Sequence, residues 1–420
     1  MSQFRSIRTL GILALSAASA LAVFAHSGAP ASINVGPSRI RHVFVIALEN
    51  HNWTQPATVP GWFQAIYKNQ HAPFINSLVN GTARAFIDGR VVDISKQVAY
   101  ATAYHNVLAT PSGSNPHIHP SEPNYLWAEA GTNFGVRNDD DPYKDHPPNV
   151  QNTTQHLTGL LQKARLTWRS YQEDIDLIRN ANGKLINVPL PEKDWTVPLK
   201  SISGLFASGE YLNAYNDSGQ YAYAPKHNPP VFFTDTNGGG NPTTANPMAK
   251  HYAPLQQLAF DLASGRVADY NWITPDLYNE MHSWLHAGFA GLTGDAARIR
   301  AADNTLSRLV PLIMSSKAYQ DGGAIILWWD ETEPDGRPGD NPDDFKHTLP
   351  EIIISPLAHP NVNGRPYASA IDYTHSSDLR TMQEIFHVEV TGGSSPYLGD
   401  AANAHDLSAL FRPGVIPKQP

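Results

Sequence analysis

Two short apolar runs, each followed at once by an acidic pair, constrain the fold of this chain more than any other feature. The first run, HVFVIAL, spans residues 42–48, and the second, AIILWW, spans residues 324–329. Uninterrupted runs of β-branched and aromatic residues predict strands that are buried on both faces, as in a parallel sheet. The residues that directly follow the two runs are Glu49 and Asn50, and Asp330 and Glu331. Because ligands of such sheets bind at the carboxyl ends of the strands, we expect both pairs at one edge.

A divalent metal ion is the simplest partner for these four oxygen-bearing side chains. Carboxylates held close together repel each other unless protons or a cation neutralise them, and carboxylate and amide oxygens suit a hard cation. Taken alone, the Glu49-Asn50 pair also fits the cap of a following helix or loop, and the Asp330-Glu331 pair also fits the start of a surface loop. Their joint position favours metal ligation.

Strand-like and helix-like segments alternate along the chain, which is typical of a doubly wound α/β domain with a mostly parallel sheet and helices on both faces. The predicted strands are residues 43–48, 166–171, 269–273, 324–329 and 351–355. The segments that predict helices are residues 156–163, 301–315 and 377–387. Pro311 is expected to kink or end the second of these helices.

Three long polar segments, rich in Pro, Gly, Asn and His, interrupt this pattern at residues 110–149, 213–247 and 333–350. Loops of this length in a compact domain are usually functional or disordered. Because each segment adjoins the end of a predicted strand, we expect them to form walls and lids around a site. Residues 31–420 are interpreted as one domain with large insertions.

The first 30 residues have the pattern of a cleaved export signal. Arg5 and Arg8 precede an apolar stretch at residues 10–24, and small residues follow before His26. An uncleaved membrane anchor is the alternative, but the stretch is short for a membrane span, and no later run approaches about 18 apolar residues. The mature protein is therefore expected to be secreted or periplasmic, without an integral membrane segment.

Composition excludes several classes of chemistry and of partner. The chain has no cysteine, which excludes disulfides, thiolate zinc sites and a cysteine nucleophile. Its formal net charge of −8 makes nucleic acid an unexpected partner.

Histidines and hydroxyl groups offer further candidates. His282 and His286 stand four residues apart, which on a helix would place both rings on one face and suit zinc. The glutamate of the zinc-protease motif is absent, so His282 is favoured as a lone site histidine. Thr153 and Thr154 precede a predicted helix, where a hydroxyl meets the positive end of the helix dipole, and ordinary N-capping is the alternative.

Five motifs together resemble the bacterial and fungal phosphoesterase family that contains acid phosphatases and phosphatidylcholine-type phospholipases C. The opening motif is HVFVIALENH, and the others are HPSEPNY, TWRSYQED, WDE and YTHSSDLRT. In this chain the motifs begin at His42, His119, Thr167, Trp329 and Tyr373. Their order over most of the chain is specific, whereas a single motif would not be.

The resemblance implies an alkaline-phosphatase-like α/β core that holds one divalent metal ion of unspecified identity. The metal ligands carried over by motif are Glu49, Asn50, Asp330 and Glu331. In the family the nucleophile is a Ser or Thr just before the helix that leads to the Trp-x-x-Tyr strand, which maps to Thr154 or, one residue earlier, to Thr153. The histidines implied for phosphate binding or for the leaving group are His119, His282 and His375.

The acid phosphatase branch of this family is favoured over the phospholipase branch. Phospholipases of the family usually have Asn-Arg after the first glutamate, where this chain has Asn50-His51, and the PSEPNY form is more typical of acid phosphatases. The expected activity is hydrolysis of small phosphate monoesters through a phosphothreonine intermediate, with His282 or His119 protonating the leaving oxygen.

Two alternative functions stay open. Phospholipase C or another phosphodiesterase needs a roomy apolar mouth, for which the candidate residues are Trp127, Phe134, Trp284 and Phe289. A secreted carbohydrate- or peptide-binding protein would use the many Trp and Tyr residues but leaves both acidic pairs unexplained. The sequence does not indicate the oligomeric state.

The export signal predicts a processed protein. We expect mass spectrometry of the secreted protein to show a new N-terminus at or near His26, directly after Val23-Phe24-Ala25. A variant whose chain begins at His26 is the matched control, and it should stay inside the cell. A full-length chain retained in membranes would contradict cleavage.

Overall fold

The computed structural model describes residues 39–54, 61–87, 89–108, 118–143, 149–179, 182, 185–186 and 191–417. These residues belong to one compact unit, Pro37–Pro420. The predicted export signal lies outside the described residues. None of the described helices is long and apolar enough to cross a lipid bilayer.

The described residues form sixteen strands, eight of which join one large sheet. In chain order the strands are β1 (His42–Leu48), β2 (Arg84–Ile87), β3 (Arg90–Asp93), β4 (Val98–Ala101), β5 (Tyr104–His105), β6 (Trp168–Gln172), β7 (Ile178–Arg179), β8 (Leu185–Ile186), β9 (Ile202–Leu205), β10 (Gln220–Tyr223), β11 (Tyr252–Pro254), β12 (Tyr270–Thr274), β13 (Gly323–Trp329), β14 (Glu351–Ile354), β15 (Tyr367–Ser369) and β16 (Tyr373–Thr374).

The order of strands across the large sheet is β11-β6-β12-β1-β13-β14-β4-β15. The first five strands in this order run parallel, and β15 pairs parallel with β4. Within this sheet β14 alone runs antiparallel to its neighbours, which are β13 and β4. The predicted mostly parallel sheet is therefore confirmed, and β1 lies between β12 and β13.

The two strands that carry the acidic pairs are buried because their sequences are apolar at every position. Every residue of β13 is buried, and in β1 only His42 is partly exposed. Successive side chains of a strand point to opposite faces, so burial at every position means that both faces of the sheet are covered here.

Seven α-helices accompany the strands in the described residues. They are α1 (Pro73–Asn80), α2 (Ser121–Ala130), α3 (Leu157–Lys163), α4 (Gln257–Ser264), α5 (Gly294–Met314), α6 (Lys317–Gln320) and α7 (His375–Phe386). The helices form two groups, since α2, α3 and α7 contact one another and α5 contacts α1, α4 and α6.

All five predicted strands are observed, with bounds shifted by no more than two residues. The helix predicted at residues 301–315 begins earlier, at Gly294, and continues to Met314, so Pro311 does not end it. The largest difference lies in the predicted loop at residues 110–149, which contains α2. Because several buried residues of α2 are polar, its sequence lacks the apolar stripe that predicts a helix.

The N-terminus of α1 is capped from another helix. Its own N-cap residue, Ala72, makes no side-chain hydrogen bond. Asp303 of α5, which is 2% exposed, accepts hydrogen bonds from the main-chain N–H groups of Phe74 at 3.1 Å and Ile75 at 2.8 Å. Asp303 therefore ties α1 to α5.

We expect Asp303→Ala to lower the free energy of unfolding by about 1–3 kcal/mol, because two N–H groups lose a charged acceptor in a buried place. Denaturant unfolding measures the change. Asp194→Ala is the matched control, because Asp194 is exposed, and it should alter stability by less than about 0.5 kcal/mol. Equal loss in the two variants would contradict the capping role.

Candidate active site

The carboxyl ends of β1 and β13 place the two acidic pairs side by side. Leu48 pairs with Trp329 across these parallel strands, so Glu49 and Asp330 leave the sheet at the same level. The main-chain N–H of Asp330 donates to the main-chain O of Leu48 at 3.1 Å, which extends the pairing by one residue. The sheet thus brings together residues that lie far apart in the sequence.

Asn50 connects the two pairs through both its main chain and its side chain. Its φ of 53° lies in the left-handed region, which Asn adopts more readily than most residues. Its main-chain N–H donates to Asp330 Oδ1 at 3.0 Å. Its side-chain Nδ2 donates to Glu331 Oε1 at 3.2 Å and to Glu333 Oε1 at 2.8 Å.

Ser121, the first residue of α2, lies between the two acidic pairs. Its Oγ is 3.2 Å from Glu49 Oε2 and 3.1 Å from Glu331 Oε1, and the residue is 3% exposed. A hydroxyl at the N-terminus of a helix, surrounded by carboxylates, is positioned to lose its proton and act as a nucleophile.

One face of α2 carries all the donors that reach the acidic cluster from this helix. Tyr125 donates its OH to Glu49 Oε1, and Asn124 donates its Nδ2 to Glu331 Oε2 at 3.4 Å. Together with Ser121 these residues have the i, i+3, i+4 spacing that shares one side of a helix. The HPSEPNY motif supports the resemblance, and Ser121 was expected only as an alternative to the threonines, together with Ser112 and Ser114 of the same segment.

Two buried oxygen atoms of the cluster, Asn50 Oδ1 and Asp330 Oδ2, receive no hydrogen bond from any described residue. A buried acceptor without a donor is unfavourable, and carboxylate and amide oxygens are the ligands that hard divalent cations take. Glu331 differs, because its two oxygens already accept hydrogen bonds from Ser121, Asn50 and Asn124. The residues present fit a divalent metal ion beside Ser121.

Burial and mutual repulsion raise the pKa values of the acidic cluster. Burial, then the charge of Glu331, raises the pKa of Asp330 to about 7. The same two causes raise the pKa of Glu333 to about 8. Burial, followed by the charges of Asp330 and Glu280, raises the pKa of Glu49 well above its usual value. Without a cation, Glu49, Asp330 and Glu333 therefore keep their protons to a higher pH than surface carboxyl groups do.

His119 lies against the second acidic pair. Its Nδ1 is 2.8 Å from Glu331 Oε2, and its Nε2 is 3.2 Å from Asp343 Oδ1. Burial alone would lower the pKa of His119, but the carboxylates of Glu331 and Asp343 outweigh it, so the pKa rises to about 9. The imidazole is therefore protonated at neutral and acidic pH.

His227 and His282 lie on the other side of Glu49. His227 Nε2 is 3.3 Å from Glu49 Oε1, and its Nδ1 is 2.8 Å from Glu280 Oε1. The centroids of the two imidazole rings are 5.6 Å apart. Burial, then the charge of Lys226, lowers the pKa of His282 to about 4, and the same causes lower that of His227 well below its usual value.

Lys226 supplies a cation close to this cluster. Its ammonium group is paired with Asp139, and its pKa is raised by that pair and by Glu49 and Glu331, against the effect of burial. Neither Lys226 nor His227 was singled out from the sequence, because both lie in a predicted loop with no motif around them. Only the fold shows that this loop returns to β1.

His375 lies beneath the second acidic pair, against the main chain of Asp330. Its Nε2 donates to the main-chain O of Asp330 at 2.6 Å, and its Nδ1 accepts from the Trp328 indole N–H at 3.1 Å. It is 1% exposed, and burial lowers its pKa to about 3. Both ring nitrogens of His375, which was predicted to bind substrate, are therefore engaged by Asp330 and Trp328.

Thr153 and Thr154 lie at the opposite end of α2 from Ser121. The helix that follows them contacts Glu129, whose Oε2 accepts from the main-chain N–H of Thr158 at 3.0 Å. Eight residues of helix separate Ser121 from Glu129, which is a distance of about 12 Å. Thr154 is exposed, and Thr153 Oγ1 accepts from the main-chain N–H of Gln155 at 3.1 Å. The structure therefore does not bring the predicted nucleophiles to the acidic cluster.

The other residues predicted from the sequence to lie at the site differ in their burial and in their contacts. His286 is exposed and its segment is not helical, so the four-residue spacing does not place it beside His282. Trp127 is buried and donates its indole N–H to Ser376 Oγ at 2.8 Å, which removes it from any apolar mouth. Trp284 and Phe134 are exposed at 59% and 39%.

The Phosphoesterase family model matches residues 114–389, which is more than half of the 420-residue chain. A phosphate-repressible acid phosphatase from Penicillium chrysogenum is 23% identical over 214 residues, covering 51% of this chain and 38% of that protein. A probable acid phosphatase from Kluyveromyces lactis is 21% identical over 291 residues, covering 69% of this chain and 55% of that protein. The chain spans about half the length of these relatives or less.

Solved structures that the chain matches include a protein in the alkaline phosphatase superfamily from Vibrio parahaemolyticus. It has 9% sequence identity and a TM-score of 0.39, over 84% of this chain and 68% of that chain. The lipoteichoic acid synthase LtaP from Listeria monocytogenes has 10% identity and a TM-score of 0.38, over 90% and 79%.

The chain belongs to the Phosphoesterase family. This confirms the predicted resemblance. Because the chain spans only part of its relatives, their whole-protein activity and substrates come to it as proposals.

The raised pKa of Asp330 predicts how stability of the metal-free protein changes with pH. Folding raises this pKa from 3.8 to about 7, so the folded state holds a proton that the unfolded chain has lost. That stabilisation is complete below about pH 4 and is lost as pH rises through about 7. We therefore expect the Tm of chelator-treated protein to fall between about pH 5 and pH 8 relative to that of Asp330→Asn.

Calorimetry of both proteins across this window measures the difference. Adding a divalent cation at the upper pH should raise the Tm of the native protein more than that of Asp330→Asn. Parallel Tm curves for the two proteins would show that the carboxyl does not titrate in this range.

Proposed function

We propose that this protein is a metal-dependent phosphomonoesterase of the acid phosphatase type, with Ser121 as its nucleophile. The observation that carries the proposal is the position of Ser121 Oγ, 3.2 Å from Glu49 and 3.1 Å from Glu331, at the N-terminus of α2. The earlier expectation of a phosphothreonine intermediate is replaced by a phosphoserine intermediate. The order of chemical steps stays the same.

In this proposal the Ser121 hydroxyl transfers its proton to a neighbouring carboxylate and its oxygen attacks phosphorus in line with the leaving oxygen. The bond from phosphorus to the leaving oxygen breaks, and the alcohol departs with a proton from His119. Water then attacks the phosphoserine, releases inorganic phosphate and returns the hydroxyl to Ser121. The raised pKa of His119 keeps the proton donor loaded at neutral and acidic pH.

The residues proposed to hold the divalent ion are Glu49, Asn50, Asp330 and Glu331, with Ser121 beside them. A bound ion lowers the pKa of the nearby hydroxyl and neutralises charge on the nonbridging phosphoryl oxygens. Lys226 adds a second positive group on the side of His227. The buried acceptors Asn50 Oδ1 and Asp330 Oδ2 support this assignment, because the described residues offer them no donor.

The alternatives receive less support from the same observations. A phosphodiesterase would use the exposed Trp284 as part of an apolar mouth, whereas Trp127 is buried and unavailable. A carbohydrate- or peptide-binding protein would have no use for buried acceptors beside a helix N-terminal hydroxyl. Secretion after cleavage within the first 30 residues remains part of the proposal and rests on the sequence alone.

We expect Ser121→Ala to lower kcat for p-nitrophenyl phosphate by at least about 1000-fold, because the attacking oxygen is absent. Acid quenching followed by mass spectrometry should find phosphate on Ser121 in the native protein. Thr154→Val is the matched control and should keep most of the activity. Full activity in Ser121→Ala, or phosphate on Thr153 or Thr154, would return the role to the predicted threonines.

A substrate panel of monoesters and diesters distinguishes the phosphatase from the phospholipase reading. We expect kcat/KM for phosphate monoesters to exceed that for diesters. A preference for phosphatidylcholine or another diester would overturn the monoesterase assignment while leaving Ser121 in place.

A further inference from the structure

A buried histidine lies between two carboxylates near the C-terminal end of α2, the end away from Ser121. His156 is 0% exposed, and each of its ring nitrogens faces one carboxylate oxygen. Nδ1 is 3.1 Å from Glu129 Oε2, and Nε2 is 2.9 Å from Asp235 Oδ1. Glu129 is 1% exposed, whereas the side chain of Asp235 is 27% exposed. The proposed chemistry uses none of these three residues.

The three residues come from separate segments of the chain. Glu129 lies in the last turn of α2, His156 directly precedes α3, and Asp235 lies in the loop between β10 and β11. The helix α2 begins with Ser121, and the loop between β10 and β11 also carries His227. The contact therefore joins two segments that reach the candidate active site to a third element that does not.

Packing fixes the ring of His156 in this position. The ring of Phe233 stacks on it, with ring centroids 3.8 Å apart and an angle of 9° between the planes. On α3, a Cβ added at Gly159 would lie 2.8 Å from Nε2 of His156, so a glycine leaves the room that the ring needs. The ring therefore has little freedom to turn away from either carboxylate.

The hydrogen-bond geometry requires a doubly protonated ring. A neutral imidazole has one N–H and one lone pair, so it can donate to only one of the two carboxylates and would direct its lone pair at the other. Glu129 Oε2 also accepts from the main-chain N–H and the hydroxyl of Thr158, each at 3.0 Å. Among the described residues, His156 alone donates to the side chain of Asp235. The main-chain N–H of Gly159 is 3.4 Å from Nδ1, farther than either carboxylate.

We propose that Glu129, His156 and Asp235 form a pH-dependent clamp. The clamp holds the end of α2, the start of α3 and the loop between β10 and β11 together while His156 is protonated, and it loosens in alkaline solution. Asp235 is the partner that separates, because it is partly exposed and has no other described donor, whereas Glu129 keeps the two hydrogen bonds from Thr158. This inference does not depend on the proposed metal ion or nucleophile.

The groups that face His156 set the pH range of the clamp. The charged groups are Glu129 from α2 and Asp235 from the loop, and the first turn of α3 has no acidic residue. Tyr252 of β11 lies near both carboxylates, but burial raises its pKa well above the usual value and keeps it neutral. Burial alone would lower the pKa of His156, whereas its hydrogen bonds to Asp235 and Glu129 raise it above 6.5.

The direction of the stability change follows from this raised pKa. The folded protein binds the proton of His156 more tightly than the unfolded chain does. The stabilisation is therefore complete below about pH 6.5 and is lost as the pH rises through the pKa of the folded state.

Asp235→Asn tests the clamp with little change of shape. An amide at this position can donate to a neutral Nε2 or accept from a protonated one, so the contact no longer depends on the charge of His156. We expect the Tm of the native protein, relative to that of Asp235→Asn, to fall by about 2 °C between pH 6 and pH 9. The titration of Asp330 is common to both proteins and cancels in the difference.

Asp194→Asn is the matched control, because it removes the same charge at an exposed position. Its Tm relative to that of the native protein should not change with pH. A constant difference between the native protein and Asp235→Asn over the same range would overturn the clamp.

Nuclear magnetic resonance of protein labelled with ¹³C-histidine measures the titration of His156 itself. We expect its midpoint above pH 6.5 in the native protein and a lower midpoint in Asp235→Asn. His156→Gln assigns the resonance, and where that variant fails to fold, the shift caused by Asp235→Asn identifies it. A native midpoint at or below pH 6.5 would overturn the proposal.

Hydrogen exchange shows which segments the clamp holds. With exchange corrected for its intrinsic dependence on pH, residues 151–160 and 229–237 should exchange about 10-fold faster at pH 9 than at pH 6 in the native protein, and less so in Asp235→Asn. Faster exchange in only one of these segments would overturn the clamp. Faster exchange in both, in a protein that hydrolyses no phosphate ester, would uphold the clamp and overturn the proposed function.

Discussion

The repulsion among buried carboxylates at the ends of β1 and β13 is the constraint on which the rest of the site depends. Because the sheet brings Glu49 and Asp330 to one level, their charges must be balanced by protons, by donors or by cations. The surrounding elements supply donors: α2 contributes Ser121 and Tyr125, and the loop before it contributes His119. These donors are too few, since buried acceptors remain.

A second acidic group in the same protein shows what a fully compensated cluster looks like. The side chain of Glu173 accepts hydrogen bonds from the amides of Asn213 at 2.7 Å and Asn279 at 3.0 Å, and from the main-chain N–H of Asp276 at 2.9 Å. Neutral amides satisfy these carboxylate oxygens without an ion. In the described part of the chain, by contrast, Asn50 Oδ1 and Asp330 Oδ2 accept no hydrogen bond.

The sequence predicted the sheet and the acidic pairs because both depend on local patterns. An apolar run of six or seven residues fixes a buried strand, and the residue after the strand then has a known place at the sheet edge. Ser121 was harder to place, because α2 is buried around most of its circumference and carries Glu122, Asn124 and Glu129 inside. Such a helix lacks the single apolar stripe by which helices are recognised. The spacing of Ser121, Asn124 and Tyr125 was the readable signal.

The sequence indicated some of the site histidines and not others, because only some of them lie within a local motif. His119 lies two residues before Ser121 within a motif, and its Nδ1 is 2.8 Å from Glu331 Oε2. His227 reaches Glu49 only because a long insertion folds back over β1, a contact between residues far apart in the chain that no local pattern encodes. His375 lies within a motif, but it contacts the acidic pair from the side of the main chain, where its Nε2 donates to the main-chain O of Asp330 at 2.6 Å.

That layer behind the site explains why a conspicuous motif histidine need not touch a substrate. His375 also contacts Tyr104, whose OH donates to Asp378 of α7, so a buried chain of hydrogen bonds runs from α7 to the end of β13. Metal ligands must hold their positions to within a few tenths of an ångström. Hydrogen bonds from residues behind the ligands fix these positions, so such residues are constrained nearly as strictly as the ligands themselves. A sequence motif contains residues that position a ligand as well as residues that contact the reacting atoms, and the motif alone does not distinguish the two. Only the direction in which each ring nitrogen points, which the fold decides, separates the two roles.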